Sequence, residues 1–253
     1  MFQVRKIKAH AACFVAVSLL FFSCAKESTN SSNNGQPGTG GSLARFTISG
    51  SHLYVVDNTT LKTFDITNPG SIVQSSSVVI GTGVETIFPY KDNLYIGSQT
   101  GMFVYLIANP ANPAYLGEAI HVRSCDPVIA NDTAAFVTLR SGSACGSVND
   151  GLYVYDTRNL FAPRLINNVD IPTPYGLGMK DSALYVCAGV NGMSVLNVSD
   201  ISSPRIIRSV TGYDFRDVIP YRQMLICYVT DGVALYDIND LFAPTLIKKI
   251  NNQ

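Results

Sequence analysis

Residues Gly232–Lys249 read GVALYDINDLFAPTLIKK, and Gly151–Asn168 read GLYVYDTRNLFAPRLINN. The two stretches share a leading glycine, a Tyr-Asp pair, a Leu-Phe-Ala-Pro turn and a closing Leu-Ile. A chain that repeats a phrase of this length is built from copies of one supersecondary unit, so its period has to be found before its strands are assigned. Strand-like cores start at Leu53 (LYVVD), Leu94 (LYIGS), Ala135 (AFVTL), Leu184 (LYVCA) and Leu225 (LICYV), in steps of 41, 41, 49 and 41 residues. The long step is an eight-residue insertion in the third unit, around RSGSACGSVND.

Each unit holds four β-like runs broken by turn chemistry. In the fourth they are YGLGMK, ALYVCA, MSVLNV and RIIRSV, separated by DS, GVNG and SDISSP. Four strands in about 41 residues suit a propeller blade, whereas a helical repeat would show a 3.6-residue spacing. The expectation is an all-β fold: a five-bladed β-propeller with four antiparallel strands per blade, over residues 43–253. One chain is then expected to complete one ring as a monomer.

The repeated phrase reads as architecture. The third strand of a unit ends in Asp65, Asp156, Asn197 or Asp237, whose side-chain oxygen can accept N–H groups of the next loop; the second unit departs with Leu106. Seven residues on stands Pro113, Pro163, Pro204 or Pro244, suited to the entry of an outer edge strand; the first unit departs with Ile72. Gly101, Gly151, Gly192 or Gly232 supplies the hairpin between the second and third strands.

The phrase x-L-x-V-Y-D-I-x-D-x-x-x-P-x-L-I, with its preceding LYV strand, resembles the LVIVD repeat of bacterial secreted and surface β-propeller proteins, over nearly all of residues 43–253. The runs CDPVIANDTAAFVTLRSGSACG, YGLGMKDSALYVC and DVIPYRQMLI are similar to the third, fourth and fifth units of lipoproteins in that family. The resemblance implies a propeller on a lipid anchor and is silent on the ligand.

At the N-terminus, Arg5, Lys6 and Lys8 precede the apolar run AACFVAVSLLFFSC, which reads as a secretory signal over residues 1–23. Its end, LFFSC, resembles a lipobox in which Cys24 receives the lipid, although Phe21 and Phe22 are bulkier than its tightest form. Residues 24–42, rich in Ser, Asn and Gly, read as a flexible tether; its 18 residues after Cys24 span roughly 20–25 Å as a random coil. Ala25 is not an inner-membrane retention aspartate, so by analogy the outer membrane is the expected location. Without the signal the chain carries 15 basic against 18 acidic residues, which argues against a nucleic-acid partner.

Four cysteines remain in an oxidising compartment once Cys13 and Cys24 are set aside: Cys125, Cys145, Cys187 and Cys227. Cys125 lies at a crossover between units and Cys145 in the inserted loop, which in an antiparallel blade share one rim, so a Cys125–Cys145 disulfide is expected, worth about 3 kcal/mol in the chain-entropy model. Cys187 and Cys227 fall on the second strands of adjacent units and are expected to be buried free thiols.

The rim that holds the crossovers is also where binding loops collect. Columns at equal distance before each second strand place Arg45, Glu85, Asp126, Tyr175, Arg216 and Asp217 around the channel mouth. Glu85, Asp126 and Asp217 could serve as an acid/base set or cation ligands, and Arg45 and Arg216 could recognise an anion. The plainer alternative is that these groups pair with one another and with crossover amides. His52 and His121 lie outside the mouth columns, and no CxxC pair or His–carboxylate cluster marks a zinc site, so no metal or cofactor is expected. The expected function is a non-catalytic envelope lipoprotein that binds or scaffolds a protein or glycan partner. The alternative is a polysaccharide hydrolase or lyase using the mouth carboxylates.

Overall fold

The computed structural model describes residues 41–120, 127–141 and 149–252. Among them there is no helix, and the chain is all-β. The first sheet runs in order through β1 (Phe46–Ser49), β2 (His52–Asp65), β3 (Val73–Tyr90), β4 (Asn93–Ser98), β5 (Gly101–Leu106) and β6 (Ala114–Ile120). The second contains β7 (Val128–Ala130), β8 (Ala134–Leu139), β9 (Gly151–Asp156) and β10 (Arg164–Val169). The third has β11 (Leu177–Lys180), β12 (Ala183–Cys187), β13 (Met193–Asn197) and β14 (Arg205–Val210). The fourth has β15 (Phe215–Tyr221), β16 (Met224–Val229), β17 (Gly232–Asp237) and β18 (Thr245–Asn251). Each sheet is an antiparallel meander, and β3, β7, β11 and β15 lie side by side in turn.

This arrangement corrects the expectation of five blades. Hydrogen bonding defines four blades, because the first two sequence units share one six-stranded sheet. The two units meet at Gly81-Thr82-Gly83, where the strand does not leave the sheet. β3 passes through it unbroken, pairing Val73–Val79 with β2 on one side and Val84–Tyr90 with β4 on the other. Asn58 pairs across it with Val84. In the later units, β10 ends at Val169 and β14 at Val210, before β11 and β15 begin at Leu177 and Phe215. The sheet bends at Asn58 (φ 33°) and Gly83 (φ 68°), and its two halves pack on each other through Tyr54, Val56 and Leu61 against Leu94, Ile96 and Tyr105.

The turn grammar forms as the sequence implies. Asp65 accepts from the Thr67 amide (2.8 Å), Asp156 from Arg158 (3.0 Å), Asn197 from Ser199 (2.9 Å) and Asp237 from Asn239 (2.7 Å). Each thereby satisfies an amide that the strand's end would leave without a partner. Pro113, Pro163, Pro204 and Pro244 stand immediately before β6, β10, β14 and β18, the outer strands of their sheets. A proline there costs no ladder hydrogen bond.

Burial explains the continuous apolar reading of the central strands. Every residue of β8 and β12 is buried, since a sheet lies on either side. β16 instead alternates: Leu225, Cys227 and Val229 are buried, whereas Met224, Ile226 and Tyr228 are not. Two tyrosines fasten neighbouring units. Tyr54 donates to the Pro110 carbonyl (2.9 Å), and Tyr185 to that of Leu241 (2.8 Å), each reaching from a second strand to the following unit's outer turn.

Cys187 and Cys227 are free and buried together between the third and fourth sheets, as expected. Burial pushes the Cys227 thiol up to about 12 and that of Cys187 well above its usual value, so neither ionises. No disulfide is found among the described residues, and Cys24, Cys125 and Cys145 lie outside them.

Candidate binding site at the channel mouth

The first described residues bind to several of the positions that the sequence nominated for a channel mouth. Ser42 is 1% exposed; its hydroxyl donates to Asp217 Oδ1 (3.4 Å) and accepts from the Leu177 amide (2.7 Å). The carbonyls of Ala44 and Arg45 then accept from the amides of Ile87 and Val56 (both 2.9 Å). This strap, Gly41–Arg45, thus touches the first, second and fourth sequence repeats through Val56, Ile87 and Leu177, and the fifth through Asp217. Composition alone places Ser42 in the tether. What docks it is a buried hydroxyl meeting a donor and an acceptor, which a polar Ser/Gly-rich composition does not reveal.

Asp217 lies beneath the strap, at the point where Gly41 and Gly176 crowd its carboxylate. Any side chain at either glycine would collide with it. Burial pushes its carboxyl up to about 6, partly offset by the Val218 amide (3.0 Å) and the Ser42 hydroxyl. Asp217 is therefore a half-buried carboxylate, held from one side by the strap.

Around it the residues nominated by the sequence fall into two groups. On one side, Arg45 directs Nε and a terminal guanidinium nitrogen to the carbonyls of Glu85 (3.3 Å) and Val84 (3.4 Å), while Glu85 accepts from Gln99 (3.3 Å). On the other, the Arg216 guanidinium lies 4.4 Å from the Tyr175 ring centroid and is paired with Asp214 (2.5 Å). A second guanidinium, Arg140, lies 4.2 Å from the same centroid. The ring is itself held by its backbone: the Tyr175 amide donates to Cys187 (2.7 Å) and its carbonyl accepts from Thr138 (2.7 Å). Asp126 lies outside the described residues.

Arg140, Asp214 and Ser42 were not legible as mouth residues. Arg140 immediately follows β8 and reaches Tyr175, 35 residues on in sequence. The signal that could have found it is its position just before the insertion, on the same rim as the crossovers. Asp150 stands nearby, accepting from the amides of Ser141 (2.5 Å) and Thr173 (2.8 Å). Burial works against its charge, but those bonds and the Arg140 guanidinium hold its carboxyl below the usual range. These residues are thus largely bonded to one another, and the Arg140–Tyr175–Arg216 stack adds two guanidinium groups on one ring to that pairing. Among the described residues, no group of three or more His, Cys, Asp or Glu side chains is placed to hold a metal ion.

No family model matches the sequence, and no curated protein matches it. Solved structures do. A protein of unknown function from Desulfotomaculum acetoxidans superposes with a TM-score of 0.71 at 8% identity, over 82% of this chain and 69% of that one. AztD from Citrobacter koseri gives 0.59 at 12% identity, over 80% of this chain and 60% of that one. BamB from Moraxella catarrhalis gives 0.53 at 8% identity, over 72% of this chain and 54% of that one. The likeness establishes a β-propeller fold and nothing finer. This chain matches about three-fifths of the length of such structures, 61% in the case of the computationally designed Ika8 protein.

Proposed function

We propose that the chain is a non-catalytic binding or scaffold propeller of the bacterial cell envelope, of the LVIVD-repeat type, anchored by lipid at Cys24 in the outer membrane. Its partner is a protein or glycan bearing carboxylate groups, taken at the channel mouth. The observation that carries this reading is the pair of guanidinium groups, Arg140 and Arg216, held over Tyr175 at the ends of rigid sheets. A guanidinium stacked on a ring is pre-organised, and Arg216 already shows the pairing with a carboxylate that such a group makes, through Asp214. Tyr175 adds a flat surface on which a sugar ring or peptide side chain can rest.

The hydrolase or lyase alternative draws on Asp217, whose raised pKa suits a general acid. Its carboxylate, however, is occupied by Ser42 and Val218 and crowded by Gly41 and Gly176, with no room there for a scissile bond. The reading is tested by screening the full chain against acidic and neutral glycans and envelope proteins. Tyr175→Ala and Arg216→Ala are expected to weaken carboxylate-dependent binding at least about tenfold. Binding unchanged in both variants removes the mouth from the function. Turnover of a polysaccharide that disappears in Asp217→Asn replaces binding by catalysis. Lipidation is read separately, by palmitate incorporation that is lost in Cys24→Ser.

A further inference from the structure

Every internal joint of the molecule buries two apolar sheet faces against each other. At the last of them, Ala183, Tyr185, Cys187, Met193 and Val195 of the third sheet are fully covered by the fourth. The far side of the fourth sheet carries Met224, Ile226, Tyr228, Val233 and Leu235 at the corresponding positions, so it is built as the same half of a joint. No apolar cluster among the described residues includes it; Tyr228 is 54% exposed, and Met224, Ile226, Val233 and Leu235 are half-buried.

At the other end of the chain the complementary half is also uncovered. The outward face of the first sheet presents Phe46 and Ile48, 61% and 54% exposed, beside half-buried Leu53, Val55 and Phe64. In the fourth sheet the positions of Leu53, Val55 and Phe64 are held by Leu225, Cys227 and Tyr236, which are buried against the third. The ion pair Asp57–Lys62 (2.7 Å) sits toward the rim of this face, where a joint tolerates charge.

Among the described residues, the first and fourth sheets therefore present the two matching halves of the repeated joint. Among the described residues Ser42 reaches Asp217 through the strap, and no apolar cluster spans the first and fourth sheets. We propose that the two faces meet between copies of this chain, head to tail, the first sheet of one copy packing on the fourth sheet of a second as a further blade. The surface that fits is continuous with the joints already formed inside the chain, and a second copy presents it in the order in which one unit follows another. Such a contact is heterologous; it closes if the rotation between copies permits and otherwise propagates. It lacks one fastening of the internal joints, because Ile226 stands where Tyr54 and Tyr185 donate to the next unit's turn. The association is accordingly reversible and depends on concentration.

The experiment is photocrosslinking of the full chain with p-benzoylphenylalanine in place of Tyr228, read by gel and by mass spectrometry of the adduct. The expected product has twice the chain's mass, with the crosslink in the peptide that contains Phe46–Val55. Phe46→Glu is expected to lower its yield about tenfold. Ile207→Glu, at a comparably exposed position on the outer strand β14, leaves the yield unchanged. An adduct confined to the monomer band means that the ring closes on itself and overturns the proposal. A crosslink to a different protein, or no adduct with sedimentation at the monomer mass, overturns it as well.

Discussion

In the folded chain Asp217 keeps its proton up to about pH 6, because its carboxylate is buried under Gly41 and Ser42 and the Val218 amide only partly compensates. The unfolded chain releases that proton near pH 4. Between these values the folded state holds more protons than the unfolded one, so stability falls as pH rises through the window. The contribution is complete below about pH 4 and lost above about pH 6, and two units correspond to on the order of 3 kcal/mol at most. Asp217→Asn is expected to match the parent chain at pH 4 and exceed it at pH 8, in urea midpoints measured at both. An Asp217 with an ordinary pKa would give the same difference at the two pH values. The sequence placed Asp217 at the mouth by column counting. That the strap holds it depends on Ser42, 175 residues away.

Among elements, the hairpins between second and third strands test whether the repeated glycines are architectural. Gly192 has φ +97° and lies against the carbonyl of Val210, which an added Cβ would overlap. Gly192→Ala is expected to cost about 2 kcal/mol or more, from strain and collision together. Gly212, at φ +106° with open space around it, isolates the strain alone, so Gly212→Ala is expected to cost about 1 kcal/mol. Equal shifts of the denaturant midpoint in the two variants would remove the collision from the account. These turns and their Asx caps were readable because they are set by residues within a few positions of one another. The six-stranded first sheet was not. Whether Gly81–Gly83 releases the chain from the sheet depends on Asn58 pairing with Val84 across a turn, and a Gly-Thr-Gly junction is compatible with either outcome.

For the whole molecule, the uncovered terminal faces predict a gradient of local stability. Repeat arrays draw stability from joints with neighbours, and among the described residues the apolar clusters join each outer unit to one neighbour. Hydrogen exchange at low protein concentration is expected to open β16 and β17 before their equivalents β12 and β13, with β1 and β2 also early. Uniform protection across β12 and β16 would show that the last face is covered within the chain. By itself the sequence determined the strands, their period, the capped outer turns and the buried thiols Cys187 and Cys227, since alternation and turn chemistry act over a few residues. Only the tertiary structure decided that five repeats make four sheets, that the strap bonds to Asp217, and that Arg140 joins Arg216 over Tyr175. These depend on how the twists of successive sheets add up and on contacts between residues far apart in the chain, and no local pattern records either.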